Sequence, residues 1–142
     1  MKIIKGWLFA TIEDAKENLK SGISKVVGYK EETEEIYIYC KNGKVVKFFH
    51  NQDCCETVYL ESADGLKNNV DIFTNCDWCE VEEFTDVNSK PLSEWDSSFT
   101  WTFYIFRTNK GYDTMRWYGT SNGWYSESVD FEIYEEQDNE RD

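Results

Sequence analysis

The sequence predicts a single α+β domain, in which a mostly antiparallel, twisted sheet of hairpins carries one N-terminal helix packed on it. Short runs of alternating apolar and polar residues are separated by turn signals such as Asn42 and Gly43, a strong short-range hairpin signal. Aromatic residues make up 17% of the 142 residues, and only one Pro is present. This composition favours strands that bury large rings and argues against disorder.

The single helix is predicted to begin after Thr11 and to end at Gly22. Thr is a good N-cap residue, and Asp14 stands three residues further on, in a near capping-box position. The apolar residues that share one helical face are Ile12, Ala15 and Leu19. We expect this face to pack on the sheet.

The first half of the chain also contains strand candidates, at residues 24–29, 35–40, 44–50 and 57–61. In the second of these, Ile36, Ile38 and Cys40 alternate on one side, which we expect to be buried. Residues 64–70 are predicted to form a helical turn, and residues 78–84 a strand or an extended loop.

The C-terminal third predicts a three-stranded antiparallel meander with one buried face, formed by residues 99–108, 112–118 and 124–134. The first strand places on one face Phe99, Trp101, Phe103 and Ile105. The last strand places on one face Tyr125, Val129, Phe131 and Ile133, and on the other Ser126, Ser128, Asp130 and Glu132. Residues 135–142 are expected to be the frayed acidic tail of a single domain that spans residues 1–142.

The negative charge is concentrated in one part of the chain. The net charge is -13, and residues 1–50 carry nine Lys against seven Asp and Glu. The remaining residues carry six basic and twenty-one acidic side chains. Such a field repels nucleic acid and bilayer surfaces and attracts basic partners, although acidity can also serve solubility alone.

The compartment is predicted from the N-terminal residues and the hydropathy. No run of about 20 apolar residues is present, so no membrane span is predicted. The first ten residues make a poor signal peptide, because Lys5 interrupts the apolar run and Glu13 and Asp14 follow it closely. We therefore expect a cytoplasmic protein, in which disulfides are rare.

A cluster of cysteines with the only His is the main candidate site. The residues are His50, Cys54, Cys55, Cys76 and Cys79. A structural zinc ion needs four N or S ligands, and a CxxC pair supplies two of them. We predict zinc bound by His50, Cys76, Cys79 and either Cys54 or Cys55.

Other interpretations of the same residues stay open. The thiols can be small core residues, and Cys76 with Cys79 can be a redox pair or part of disulfides. Cys40 is assigned to the core. A catalytic zinc with Glu56 or Glu80 as base is disfavoured, because the lone His is already used. No phosphate-binding Gly loop is present, and a Ser/His/Asp or Cys/His catalytic set would need His50. We therefore predict no enzyme.

Aromatic residues and two arginines suggest a second kind of site. Residues 100–104 and 116–118 are rich in rings, and Arg107 and Arg116 stand near them. The structural interpretation is a cross-strand aromatic ladder. The functional alternative is a pocket that stacks a nucleotide second messenger on rings and holds its phosphate with an arginine.

Three blocks of the sequence resemble an uncharacterised domain family that is common in phages and prophages. They are His50 with Cys54, Cys55 and Glu56, the WTFY strand at 101–104, and the hairpin at 116–127. The resemblance covers roughly residues 35–134. Small acidic phage proteins of this kind include inhibitors of host defence, and the overall character is similar to zinc-binding anti-CRISPR proteins that act on the type II effector Cas9.

Taken with the charge, the resemblance implies a monomeric anti-defence inhibitor that works in the cytoplasm of a bacterial host. It would bind a basic nucleic-acid-handling protein, Cas9 above all, and block DNA loading without binding nucleic acid itself. The acidic residues predicted to contact this partner are Glu80, Glu82, Glu83, Asp130, Glu132, Glu135 and Glu136.

Overall fold

Two antiparallel sheets and two short helices form the part of the chain that the computed structural model describes, residues 2–86 and 89–137, with side chains for residues 10–86 and 89–135. The elements are β1 (Lys2–Ala10), α1 (Ile12–Leu19), β2 (Ile23–Val27), β3 (Ile36–Cys40), β4 (Lys44–Phe49), β5 (Thr57–Ala63), α2 (Asp64–Asn68), β6 (Cys79–Asp86), β7 (Ser98–Thr108), β8 (Gly111–Ser121) and β9 (Asp130–Gln137). The first sheet has the order β1-β9-β4-β3-β2, and the second has the order β5-β8-β7-β6. The α+β class is confirmed, with the strands divided between two sheets where one was predicted.

The core lies between the two sheets, where Phe48 of β4 makes contacts with both. The Phe48 ring is fully buried. It meets Tyr104 of the second sheet edge-on, with 5.1 Å between ring centroids, and Phe131 of its own sheet at 5.0 Å. Edge-to-face pairs of this kind add to the free energy gained from burying the rings.

The predicted N-terminal helix is confirmed as α1. The Thr11 hydroxyl accepts a hydrogen bond from the Asp14 amide, and the Asp14 carboxylate accepts one from the Thr11 amide, which completes the capping box. Ala15 and Leu19 are fully buried, and α1 packs against β4, β6 and β9. Neither helix in the described ranges is long and apolar enough to cross a membrane.

The hairpin predicted at Asn42 and Gly43 is also confirmed. It joins β3 to β4, and Gly43 has a φ of 89°, a value that Gly adopts without strain. Ile36, Ile38 and Cys40 are buried on one side of β3. The helical turn predicted at 64–70 is α2, and the uncertain segment at 78–84 is strand β6.

The predicted meander is correct in two strands and wrong in the third. β7 and β8 pair along their whole lengths, but the last strand begins at Asp130 and pairs with β4 and β1 in the first sheet. β1 itself was not predicted. Apolar alternation specifies which face of a strand is buried but not which strand is its partner.

Both faces of β7 carry aromatic residues, so the residue pattern does not show which face packs against the core. Phe99, Trp101 and Phe103 share a face as predicted, but this is the outer face of the second sheet. Tyr104 and Phe106 on the other face are fully buried. Because rings occur on both sides, the sequence of this strand cannot show which side meets the first sheet.

Replacing Phe48 with alanine should lower the free energy of unfolding by about 3–5 kcal/mol, because the cavity would open between the two sheets. The measurement is urea denaturation followed by tryptophan fluorescence. The matched control is Phe49→Ala, which removes a half-buried ring on the opposite face. Equal losses for the two variants would contradict the assignment of the core face.

Candidate functional site

The loop that connects β4 to β5, residues 50–56, is organised around the buried carboxylate of Glu56. Its side chain has no exposed surface. The Asp53 amide donates to Oε2 at 2.9 Å, and the Cys54 amide donates to Oε1 at 2.8 Å. The side-chain amide of Gln52 donates to the Glu56 carbonyl at 2.6 Å. A buried carboxylate needs such donors, so Glu56 fixes the shape of the loop.

His50 joins this loop to the segment that precedes β9. Its side chain is 3% exposed, and Nε2 lies 2.7 Å from Oε2 of Glu56. Nδ1 lies 2.7 Å from the Ser128 carbonyl and 3.5 Å from Asp130 Oδ2. A carbonyl and a carboxylate can only accept, so both contacts are hydrogen bonds when each ring nitrogen carries a proton.

The acidity of Glu56 follows from these contacts. The hydrogen bond from His50 lowers the pKa of Glu56 to about 2, the amides of Cys54 and Asp53 act in the same direction, and burial opposes them. A carboxylate with several donors keeps its charge in this way. Glu56 therefore stays ionised at neutral pH.

Two thiols stand on the outside of the same loop. Cys54 and Cys55 are both exposed, and their Sγ atoms are 3.1 Å apart. A hydrogen bond with Cys54 raises the pKa of the Tyr125 phenol, so the ring of Tyr125 reaches the loop. The loop therefore presents an adjacent dithiol beside a phenol.

A second carboxylate, Glu127, organises the connection from β8 to β9. It accepts hydrogen bonds from the hydroxyls of Ser98 at 2.6 Å, Thr100 at 2.7 Å and Ser121 at 2.5 Å. Although burial opposes them, these bonds lower the pKa of Glu127. The segment also crosses Gly119, where a β-carbon would lie 2.5 Å from the Glu127 carbonyl oxygen. Only glycine leaves room for this crossing.

The cysteines of the predicted zinc site lie in different environments. Cys76 and Cys79 are buried in the core with Cys40, and burial raises the pKa of all three thiols. No described contact joins them to His50, whose two ring nitrogens already have partners.

Within residues 2–86 and 89–137, no group of three or more His, Cys, Asp or Glu side chains is arranged to hold a metal ion. Zinc therefore stays a prediction, which metal analysis of protein purified without added metal can decide.

Three of the acidic residues predicted to contact a partner lie on β6, the edge strand of the second sheet. They are Glu80, Glu82 and Glu83, and we call them the β6 acidic strip. All three are exposed. Glu82 pairs with Arg107 at 2.7 Å, and Glu83 accepts a hydrogen bond from the Tyr104 hydroxyl at 2.5 Å. Glu80 has no basic partner among the described residues.

The other predicted acidic residues lie on β9. Asp130 Oδ2 lies 3.5 Å from Nδ1 of His50 and accepts a hydrogen bond from the Asn51 amide at 2.8 Å. Glu132 accepts one from the Tyr134 hydroxyl, and Glu135 pairs with Lys44 at 2.7 Å. The side chain of Glu136 lies outside the described residues.

The predicted nucleotide pocket is not supported by the described cavities. Arg116 donates to Ser62 and pairs with Asp64 at 3.1 Å, and Arg107 pairs with Glu82. The rings form a ladder on the outer face of the second sheet, in which Phe84 and Phe103 stack with centroids 5.0 Å apart.

The two described cavities have volumes of about 460 and 530 Å³, and neither is lined by the two arginines or by this ladder. The residues that line the larger one are Val27, Gly28, Lys30, Glu32, Thr33, Glu34, Glu35 and Tyr37.

The comparisons with known proteins identify a family. Residues 8–131 match the model of DUF7448, a domain of unknown function. The match covers most of the chain, so this protein belongs to the DUF7448 family. This agrees with the resemblance to an uncharacterised family, while the connection to phages and host defence stays a prediction. No curated protein and no solved structure matches the chain at a significant level.

Glu56→Gln should destabilise the domain most at neutral pH. The folded-state pKa of about 2 lies below the ordinary value of 4.5. The charge of Glu56 therefore contributes stability that is fully present above pH 4.5 and is lost as pH falls towards 2. Urea unfolding at several pH values should show a difference between the wild type and the variant that shrinks over this window.

The control for this comparison is Glu31→Gln, which alters an exposed carboxylate and should leave stability nearly unchanged throughout. A Glu56→Gln difference that does not depend on pH would mean that the charge of Glu56 does not stabilise the fold.

Proposed function

We propose that this DUF7448 domain is an inhibitor that binds a basic, nucleic-acid-handling protein through carboxylates on its surface. In the narrow form of the proposal it is encoded by a phage, and the partner is a Cas9-type effector whose DNA loading it blocks. The observation that carries the proposal is the excess of acidic over basic residues after residue 50, displayed in part on the β6 acidic strip. Surfaces that hold phosphate backbones are rich in Lys and Arg, and an acidic surface complements them.

The edge position of β6 favours an interface in this region. Among the described strands, β6 pairs with β7 alone, so one side of β6 has no strand partner in the described part of the chain. Charged side chains on an edge strand prevent unspecific pairing with other strands. The same side chains provide a recognition element for a partner of the opposite charge, so protection and binding are compatible.

Several carboxylates are already held in place, which reduces the entropy lost on binding. Glu83 is fixed by the Tyr104 hydroxyl, and Asp130 by the Asn51 amide. Burial, together with the carboxylates of Glu83 and Asp130, raises the pKa of Tyr104 well above its ordinary value. Acidic residues of β6 and β9, which belong to different sheets, therefore lie within electrostatic range of one hydroxyl. Glu83 and Asp130 thus lie near each other at the rim of the core, whereas Glu80 and Glu82 are on the opposite face of β6.

Reversing charge on the β6 acidic strip should weaken binding. The variant is Glu80→Lys with Glu82→Lys, tested with a purified complex of Cas9 and guide RNA by titration calorimetry and by inhibition of DNA cleavage. We expect Kd to rise by about tenfold or more at low salt. Wild-type binding should also weaken as salt rises from about 0.05 to 0.5 M, because the Debye length shortens.

The matched control is Glu31→Lys with Glu34→Lys, which makes the same change in net charge at exposed positions of another loop. It should retain most of the affinity. Equal weakening by the two variants would show that only net charge matters, and the absence of binding by the wild type would reject the Cas9 form of the proposal.

A further inference from the structure

The five cysteines divide into two classes by accessibility. Cys40, Cys76 and Cys79 are at most 3% exposed, whereas Cys54 and Cys55 are exposed on the loop between β4 and β5. Oxidants and disulfides in solution can therefore reach only the adjacent pair while the domain stays folded. Access of this kind selects which cysteines are oxidised.

The adjacent pair does not hold the loop together. The loop backbone is bound to the Glu56 carboxylate through the amides of Asp53 and Cys54, and to the side chain of Gln52. The two exposed thiols take no part in this network or in the core, and their contacts are with each other and with the Tyr125 phenol. Their Sγ atoms nevertheless lie 3.1 Å apart, about 1 Å further than a disulfide bond requires.

We infer that Cys54 and Cys55 form a redox-modification site, in which a low-molecular-weight disulfide such as oxidised glutathione closes a disulfide between the adjacent residues. One thiolate attacks a sulfur of the reagent, forms a mixed disulfide and releases one reduced thiol. The second cysteine thiolate attacks the sulfur of the first and releases another. The protein loses two protons and two electrons, and the reagent is reduced to two thiols.

The bond formed in this way is strained, which makes it reversible. The Cα atoms of adjacent residues are about 3.8 Å apart across a trans peptide, whereas disulfides usually join Cα atoms about 4.4–6.8 Å apart. Strained, exposed disulfides are reduced readily and are typical of regulatory bonds. Closure would rotate the peptide between Cys54 and Cys55 and weaken the hydrogen bond that the Cys54 carbonyl of this peptide accepts from the Gln52 side chain, so the oxidised loop would differ from the reduced one.

Mass spectrometry tests the site directly. The full-length protein is incubated with a zinc chelator at increasing ratios of oxidised to reduced glutathione, its free thiols are blocked under denaturing conditions, and it is digested with trypsin. Cleavage after Lys47 and Lys67 yields residues 48–67, which contain Cys54 and Cys55 and no other cysteine. In excess oxidised glutathione this peptide should be about 2 Da lighter than the unblocked dithiol form, and it should return to the blocked dithiol form in excess reduced glutathione.

The control variants are Cys54→Ser and Cys55→Ser. Each keeps one exposed thiol and should stop at the mixed disulfide with glutathione. A double variant, Cys40→Ala with Cys76→Ala, should still close the adjacent bond. A stable mixed disulfide on the wild-type peptide, a disulfide between two chains, or an unchanged dithiol in excess oxidised glutathione would each overturn the inference.

Discussion

A carboxylate with no exposed surface persists in a folded protein only when donors surround it, and the His50–Glu56 pair meets this condition at the place where the chain leaves the first sheet. Two backbone amides and the imidazole of His50 bind the Glu56 carboxylate. The other ring nitrogen of His50 binds the Ser128 carbonyl, where the chain returns to the first sheet before β9. One buried pair of side chains thus connects the two passages between the sheets.

This connection gives a structural reason for the positions of two sequence blocks, the one that contains His50 and Glu56 and the one that ends at Glu127. Strands β1–β4 and β9 form the first sheet, and β5–β8 form the second, so the described chain passes between sheets at residues 50–56 and 122–129. His50 and Glu56 hold the first passage. Glu127, with three hydroxyl donors, holds the second. His50, Glu56 and Glu127 therefore have structural roles, whatever function the two connecting loops have.

Much of the fold follows from local sequence signals, and the exceptions have a common cause. Two features depend only on neighbouring residues, and the sequence predicts both correctly. They are the capping box of Thr11 with Asp14 and the hairpin at Asn42 and Gly43. The destination of β9 depends on contacts with β1 and β4, more than 80 residues away in the chain. Alternation carries no information about such partners.

The candidate site shows the same division. His50, Cys54 and Cys55 were selected from the sequence, but as zinc ligands. The sequence marks Glu56 as a flanking base and as part of the resemblance, but it does not show that this carboxylate is buried among donors. Glu127 is marked by the resemblance alone, and Tyr125 also by its place on the apolar face of the predicted last strand.

The single His allows a direct measurement of the contact on which this account depends. In a ¹H–¹⁵N NMR spectrum recorded at about pH 6, the His50 ring should show two N–H protons, because Nε2 and Nδ1 each lie 2.7 Å from an oxygen that can only accept, in the Glu56 carboxylate and the Ser128 carbonyl. Both protons should exchange slowly with water, and Glu56→Gln should speed the exchange of the Nε2 proton. Ring protons that exchange too fast to be observed in the wild type would show that His50 does not join the two passages between the sheets.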